Sequence, residues 1–277
     1  MNENITNNES KDIEEKVLYK EIGKVAYITL NNTKKMNAIE KPMVFRILDL
    51  LNQIDQNDKI GCLVINSTGD KAFCSGWDLN LFREVSQESI DFLLNTGATI
   101  SQKIFFLKKP VIVQIQGPAV GMGTIMALAA DFRIVAKKDD VFFQLPELDL
   151  GPGIPPATGP TIGAVATLGL THAKDMLLTG RKVSLKEFEQ WGMINLIVEP
   201  PEELPEAVKK FARNIAKKSN DLLALTKHTA NIIGVNIGKR AWELENEMAY
   251  YFFNKVLKRS DKPIDDFINQ LWKKFGS

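Results

Sequence analysis

The sequence predicts an α/β fold, and three observations carry that prediction. Strand-like and helix-like stretches alternate along the first half of the chain. Two of the strand-like runs, Ile60–Ile65 and Val111–Ile115, are apolar or nearly so throughout, the pattern of strands covered on both faces. A glycine-bearing turn then leads into Thr124–Ala130, which is apolar on every side and so predicts a buried helix.

Taken in order, Lys24–Leu30 reads as a strand ended by Asn31 and Asn32. Pro42 suits the first turn of a helix, and Val44, Ile47, Leu48, Leu51 and Ile54 follow at helical spacing. With Ile60–Ile65 this makes strand, helix, strand, the pattern of a right-handed parallel crossover. The polar loop Ser67–Asp78 precedes mainly helical sequence from Leu79 to Leu107, and Phe132–Ala136 is a further strand. Asp139–Pro160 is rich in proline and glycine and reads as a loop of fixed shape. Ser184 and Glu187 form a capping-box pattern opening a helix that ends near Gly192, and Ile194–Val198 is a last short strand. From Pro201 onward the sequence is helical and amphipathic, with Gly234 and Gly238 as breaks. It therefore divides into a polar tail at residues 1–15, expected to be disordered, a core at 16–200 and a C-terminal helical region at 201–277.

With 277 residues, 44% of them hydrophobic, the chain has ample material for a core. A net charge of +1 and scattered lysine doublets give no basic patch, so no nucleic-acid partner is expected. No window is long and apolar enough to span a membrane, and the first residues resemble no secretory or mitochondrial leader. Cys62 and Cys74 have neither CxxC nor histidine spacing, which fits a reducing cytoplasmic setting without disulfide or metal.

Gly117, Gly121 and Gly123 surround the start of the buried helix, and no Ser, Thr, Asp or Asn stands where it would cap it. The first N–H groups of that helix are thus offered to a ligand oxygen, aided by the positive end of the helix dipole. The alternative is that the glycines only allow close packing. Neither a P-loop nor a dinucleotide fingerprint is present: no Lys follows Gly123, and Met126 stands where the latter needs glycine.

Three stretches, KAFCSGWDL (Lys71–Leu79), QGPAVGMGTIMALAADFRI (Gln116–Ile134) and PELDLGPGIPP (Pro146–Pro156), together resemble the enoyl-CoA hydratase/isomerase, or crotonase, superfamily. NNTKKMNAI (Asn31–Ile39) resembles the early CoA-contacting loop of that family. The resemblance implies a spiral of strand-strand-helix turns whose C-terminal helices pack trimers or hexamers and close the active site. It also implies an acyl-CoA substrate whose thioester oxygen sits between two backbone N–H groups, carried here onto Trp77, after Gly76, and Met122, between Gly121 and Gly123. Substrate or CoA contacts carry onto Asn37 and Ala38, onto Lys71, Ala72, Cys74 and Asp78, onto Gly117 and Ile125, and onto Lys273 and Lys274 in the tail. No cofactor beyond the CoA thioester itself is implied.

The hydratases of this family use two glutamates. The first position falls on Ile125, which moves no proton; Glu147 occupies the second. Its neighbours Phe142, Phe143, Leu145, Pro146 and Leu148 are apolar, a setting expected to raise a carboxyl pKa. Hydration moves protons on two atoms, whereas a double-bond shift needs one base that removes a proton and returns it nearby. This favours an isomerase, with hydratase, hydrolase, decarboxylase and a non-catalytic CoA-thioester scaffold as alternatives. Asp149 is the candidate second acid, sharing a side with Glu147 if Pro146–Leu150 is extended. Gln144 is a candidate to enter the pocket. Asp78 and Asp131 read as capping or strand-end acids, His172 and His228 as surface or packed residues, and Cys74 as a nucleophile without a base.

Overall fold

A computed structural model describes residues 13–82, 87–150 and 157–234. The end of the polar tail is tied down: residues 13–16 form a helical turn, the Asn31 side chain donates to the Glu15 carbonyl (2.8 Å), and Lys16 pairs with Glu40 (3.0 Å). Strand β1 (Val17–Ile22) turns at Gly23, φ +61°, into antiparallel β2 (Val25–Leu30). Helix α1 (Lys41–Gln56) follows, with Pro42 in its first turn. It buries Met43, Val44, Ile47, Leu50, Leu51 and Ile54, which confirms the predicted helical stripe.

Strand β3 (Cys62–Ser67) returns parallel to β2, completing the expected crossover, and β4 (Val111–Ile115), β6 (Phe132–Ala136) and β9 (Leu196–Val198) extend the sheet in the same direction. The sheet order is β1-β2-β3-β4-β6-β9. A second sheet joins β5 (Ala119–Val120), β7 (Phe142–Gln144) and β8 (Val183–Ser184), and single bridges pair Cys74 with Ala119 and Ile39 with Trp77. Each turn of the chain thus gives a long strand to the first sheet and a short one to the second, then a helix.

The helical sequence between β3 and β4 resolves into α2 (Gln87–Asp91), a π-helical turn (Phe92–Gly97) and α3 (Ala98–Phe106). After β5 comes α4 (Met122–Ala129), every residue of it buried, as its all-round apolar sequence predicts. Helix α5 (Pro160–Thr179) ends on Gly180, φ +59°, and α6 (Leu185–Gln190) opens on the complete Ser184/Glu187 capping box.

The helices α1, α3 and α4 share one apolar core with the inner face of the main sheet. The opposite face, including Val25, Val64, Ile112 and Ile134, is covered by Leu204, Val208, Ala212 and Ala216 of α7 (Leu204–Ala216). The first helix of the region expected to serve subunit packing therefore closes the sheet of its own chain. Helix α8 (Asn220–Gly234) follows. Its Lys227, 8% exposed, pairs with Asp131 (2.7 Å) and donates to the carbonyls of Ile104 and Lys109 (3.2 Å each). No helix of the described residues is long and apolar enough to cross a membrane.

Candidate active site

The site is built where two glycine turns meet. Gly121 is the N-cap of α4 at φ +50°, and no side chain caps the helix. The first bond of the helix runs from the Ile125 N–H to the Gly121 carbonyl (2.9 Å), so the Met122 N–H lies before the ladder begins. Across from it, the Gly76 carbonyl accepts from the Ile39 N–H (2.8 Å), while the Asp78 N–H donates to the Ile39 carbonyl (2.9 Å). A trans peptide is planar, so with the Gly76 carbonyl turned toward Ile39 the Trp77 N–H points the opposite way. Neither the Trp77 nor the Met122 N–H donates a hydrogen bond among the described residues.

These two turns are in contact. Gly76 has φ +96°, and a Cβ added there would stand 3.1 Å from the Val120 carbonyl oxygen and 3.5 Å from the Met122 nitrogen. Only glycine combines that backbone angle with open space before the Met122 N–H. A Cβ at Gly123 would strike the Cys74 carbonyl oxygen, and one at Gly117 would come within 3.0 Å of the Ala72 Cα. The glycines thus serve close packing, and the two N–H groups between them are left without a partner among the described residues.

Strand β7 is bonded to the second of these turns and leads on to Glu147. The Gln144 carbonyl accepts from the Gly121 N–H (2.9 Å), and the Gln144 N–H donates to the Thr124 hydroxyl (3.2 Å). Three residues later Glu147 is half-buried, with its Oε2 shielded from solvent. Ile125, in the first turn of α4, is 2% exposed and lies within the apolar core.

Several expected contacts resolve differently. Glu147–Asp149 is a 3-10 turn and not extended, so Asp149 is rotated about 240° from Glu147. Its carboxylate lies against Gly180, away from Glu147's side of the turn. The Gln144 side chain donates to the Gly180 carbonyl (2.7 Å), capping α5. Asn37, 1% exposed, accepts from the Asn32 N–H (3.0 Å) and donates to the carbonyls of Thr68 (2.9 Å) and Ala72 (3.1 Å), so its amide braces two loops. Ala38 and Ala72 are buried and Lys71 exposed. Asp78 pairs with Lys35 and accepts from the Asn80 N–H (2.8 Å), the capping role expected of it. Burial pushes the Cys74 thiol up to about 12, which leaves it unionised and unsuited to attack. Lys273 and Lys274, and residues 151–156 of the third motif, lie outside the described residues.

Sequence reasoning missed the supports of α4. Arg133, buried in β6, donates to the carbonyls of Ala127 and Ala130 (2.8 Å each) and Met193 (2.6 Å). Desolvation lowers its pKa to about 10, with Asp131 pulling the other way. An arginine inside an otherwise apolar strand was the available signal. Among the described residues no group of three or more His, Cys, Asp or Glu is placed to hold a metal.

Comparison with known proteins identifies the family and the fold. The sequence profile of the family described as enoyl-CoA hydratase/isomerase matches residues 20–277. A crotonyl-CoA hydratase of Syntrophomonas wolfei is 34% identical over 222 residues, spanning 78% of this chain and 82% of that protein. A carnitinyl-CoA dehydratase of Shigella flexneri is 31% identical over 237 residues, 85% of each chain. The crystal structure of an enoyl-CoA hydratase from Bacillus anthracis matches with a TM-score of 0.74 at 27% identity, covering 85% of this chain and 90% of that one. With its spiral of paired sheets, its two glycine turns and a profile match over almost its whole length, the chain belongs to the enoyl-CoA hydratase/isomerase family of the crotonase superfamily.

Proposed function

We propose that this enzyme is an enoyl-CoA isomerase, converting a 3-enoyl-CoA to the 2-enoyl form with Glu147 as its one acid/base. The Glu147 carboxylate removes a proton from C2, the electron pair delocalises onto the thioester oxygen, and the same carboxyl returns the proton at C4. The charge that builds on the oxygen is held by the Trp77 and Met122 N–H groups, each contributing roughly 3–4 kcal/mol to the transition state. No cofactor takes part. The observation that supports the reading is Ile125, buried in the first turn of α4 where the family's hydratases carry their first glutamate, which leaves Glu147 as the single glutamate of that pair.

The hydratase and dehydratase among the relatives favour a second reading, water addition or removal at the same site. The two are separated by incubating crotonyl-CoA and 3-hexenoyl-CoA with the enzyme in deuterium oxide enriched in heavy oxygen and weighing the products. A moved double bond with no heavy oxygen, and a loss of roughly 10²–10⁴-fold in Glu147→Gln, support the isomerase; any deuterium gain then reports how far the carboxyl proton exchanges with solvent before it is returned. Heavy oxygen in the acyl product overturns it. Assembly into trimers or hexamers belongs to the same proposal and is read by mass photometry.

A further inference from the structure

Two uncommon backbone features converge on one side chain. The helical stretch before β4 carries the π-turn Phe92–Gly97, and Thr158 adopts φ +69°, a conformation that a β-branched residue rarely takes. Both meet at Gly97, beside the indole of Trp77. A Cβ added at Gly97 would stand 2.9 Å from the indole Cζ2, 3.1 Å from Cη2 and 3.3 Å from the Thr158 Cγ2. The benzo edge of the indole therefore rests on the bare Cα of Gly97 with the Thr158 methyl beside it. Thr158 is itself fastened: it is 4% exposed, and its carbonyl accepts from the Ser101 hydroxyl (2.9 Å) of α3.

Strained residues and π-turns persist where their surroundings require them, and they gather at functional sites. A glycine in a helical turn under the indole, with a left-handed threonine next to that glycine, fixes where the ring can lie. Trp77 is only half-buried, so the chain does not cover the whole residue.

The indole and the Trp77 N–H leave the same Cα. A thioester oxygen held by that N–H brings the acyl chain alongside the indole, and the clamp keeps the ring from swinging out of its path. We propose that the Trp77 indole, held by Gly97 and Thr158, forms the end wall of the acyl site and makes this enzyme selective for short acyl groups. The inference rests on the Trp77 N–H as a donor to the thioester and is independent of which reaction follows.

The test uses butyryl-, hexanoyl-, octanoyl- and decanoyl-CoA, which have no double bond to shift or hydrate, with affinities read by calorimetric titration. The wild-type enzyme is expected to bind butyryl-CoA at least tenfold tighter than decanoyl-CoA. Trp77→Ala and the milder Trp77→Phe are expected to shift that ratio toward the longer chain, the former by tenfold or more. Gly97 has ordinary helical angles (φ −61°, ψ −46°), so Gly97→Ala is compatible with the backbone and acts by displacing the indole first and, to a lesser degree, the Thr158 methyl. It is expected to change the ratio in the wild-type background and much less in Trp77→Ala. An unchanged ratio in both Trp77 variants, or the same effect of Gly97→Ala with and without the indole, overturns the wall. Failure of every acyl-CoA to bind the wild type overturns instead the donor assignment beneath it.

Discussion

Gly123 lies so close to Cys74 that a methyl group on it would strike the Cys74 carbonyl oxygen and stand 2.9 Å from the Cys74 Cβ. Helix propensity alone would make Gly123→Ala favourable by about 1 kcal/mol. Because the obstacle includes backbone, overpacking costing about 1–3 kcal/mol is expected to win. The urea midpoint should fall, and turnover should drop at least tenfold as the Met122 N–H moves off Gly76. Gly163→Ala in α5, whose new methyl would meet only the Leu128 Cβ at 3.6 Å, is the control expected to leave the midpoint unchanged or higher.

Removing the guanidinium of Arg133 strands two buried carbonyls, those of Ala127 and Ala130, and the part-buried carbonyl of Met193. Arg133→Met is expected to cost about 3 kcal/mol or more in chemical denaturation. Arg133→Lys should recover little, since one ammonium cannot reproduce the forked geometry that serves carbonyls on both sides. A lysine variant as stable as the wild type would refute this account of how α4 is held.

The capping box of α6 should show its charge in the pH dependence of stability. Glu187 is lowered to about 2, first by the Ser184 backbone N–H (3.0 Å), then by the Ser184 hydroxyl (2.8 Å) and Arg181 (2.8 Å). A folded value below the unfolded one means the contribution is present above about pH 4.5 and is lost as pH falls toward 2. The group is largely solvent-exposed, so screening holds the effect near 1 kcal/mol. Glu187→Ala should melt below the wild type at pH 7, with the gap closing by pH 2; a constant gap would refute the electrostatic origin.

Cys62 and Cys74 are both buried, and burial raises each thiol to about 12. A thiol-disulfide reagent at pH 8 is expected to modify neither in the folded enzyme and both after denaturation. Rapid native labelling of Cys74 would revive it as a nucleophile.

Legibility in the sequence followed the range of the interaction. The α1 stripe, the Ser184/Glu187 cap and the uncapped start of α4 depend on neighbours within a turn or two, and each was visible as a pattern. The departure at Ile125 was visible because the flanking motif fixes its position. The side on which Asp149 lies was not, since a 3-10 turn and a strand differ by backbone angles that Glu-Leu-Asp does not dictate. The Gln144 amide on Gly180, Lys227 on Asp131 and Trp77 on Gly97 join residues at least twenty positions apart, and only the finished spiral brings them together.

The cover that α7 gives the main sheet sets an order of events during synthesis. Strands β2, β3, β4 and β6 leave the ribosome before Leu204–Ala216 exists, so the sheet face bearing Val25, Val64, Ile112 and Ile134 stands bare until then. At roughly 5–20 residues per second that interval lasts several seconds, long enough for a nascent chain to meet a chaperone or another copy of itself. A gene cut near residue 200 would make the interval permanent, and its product should aggregate.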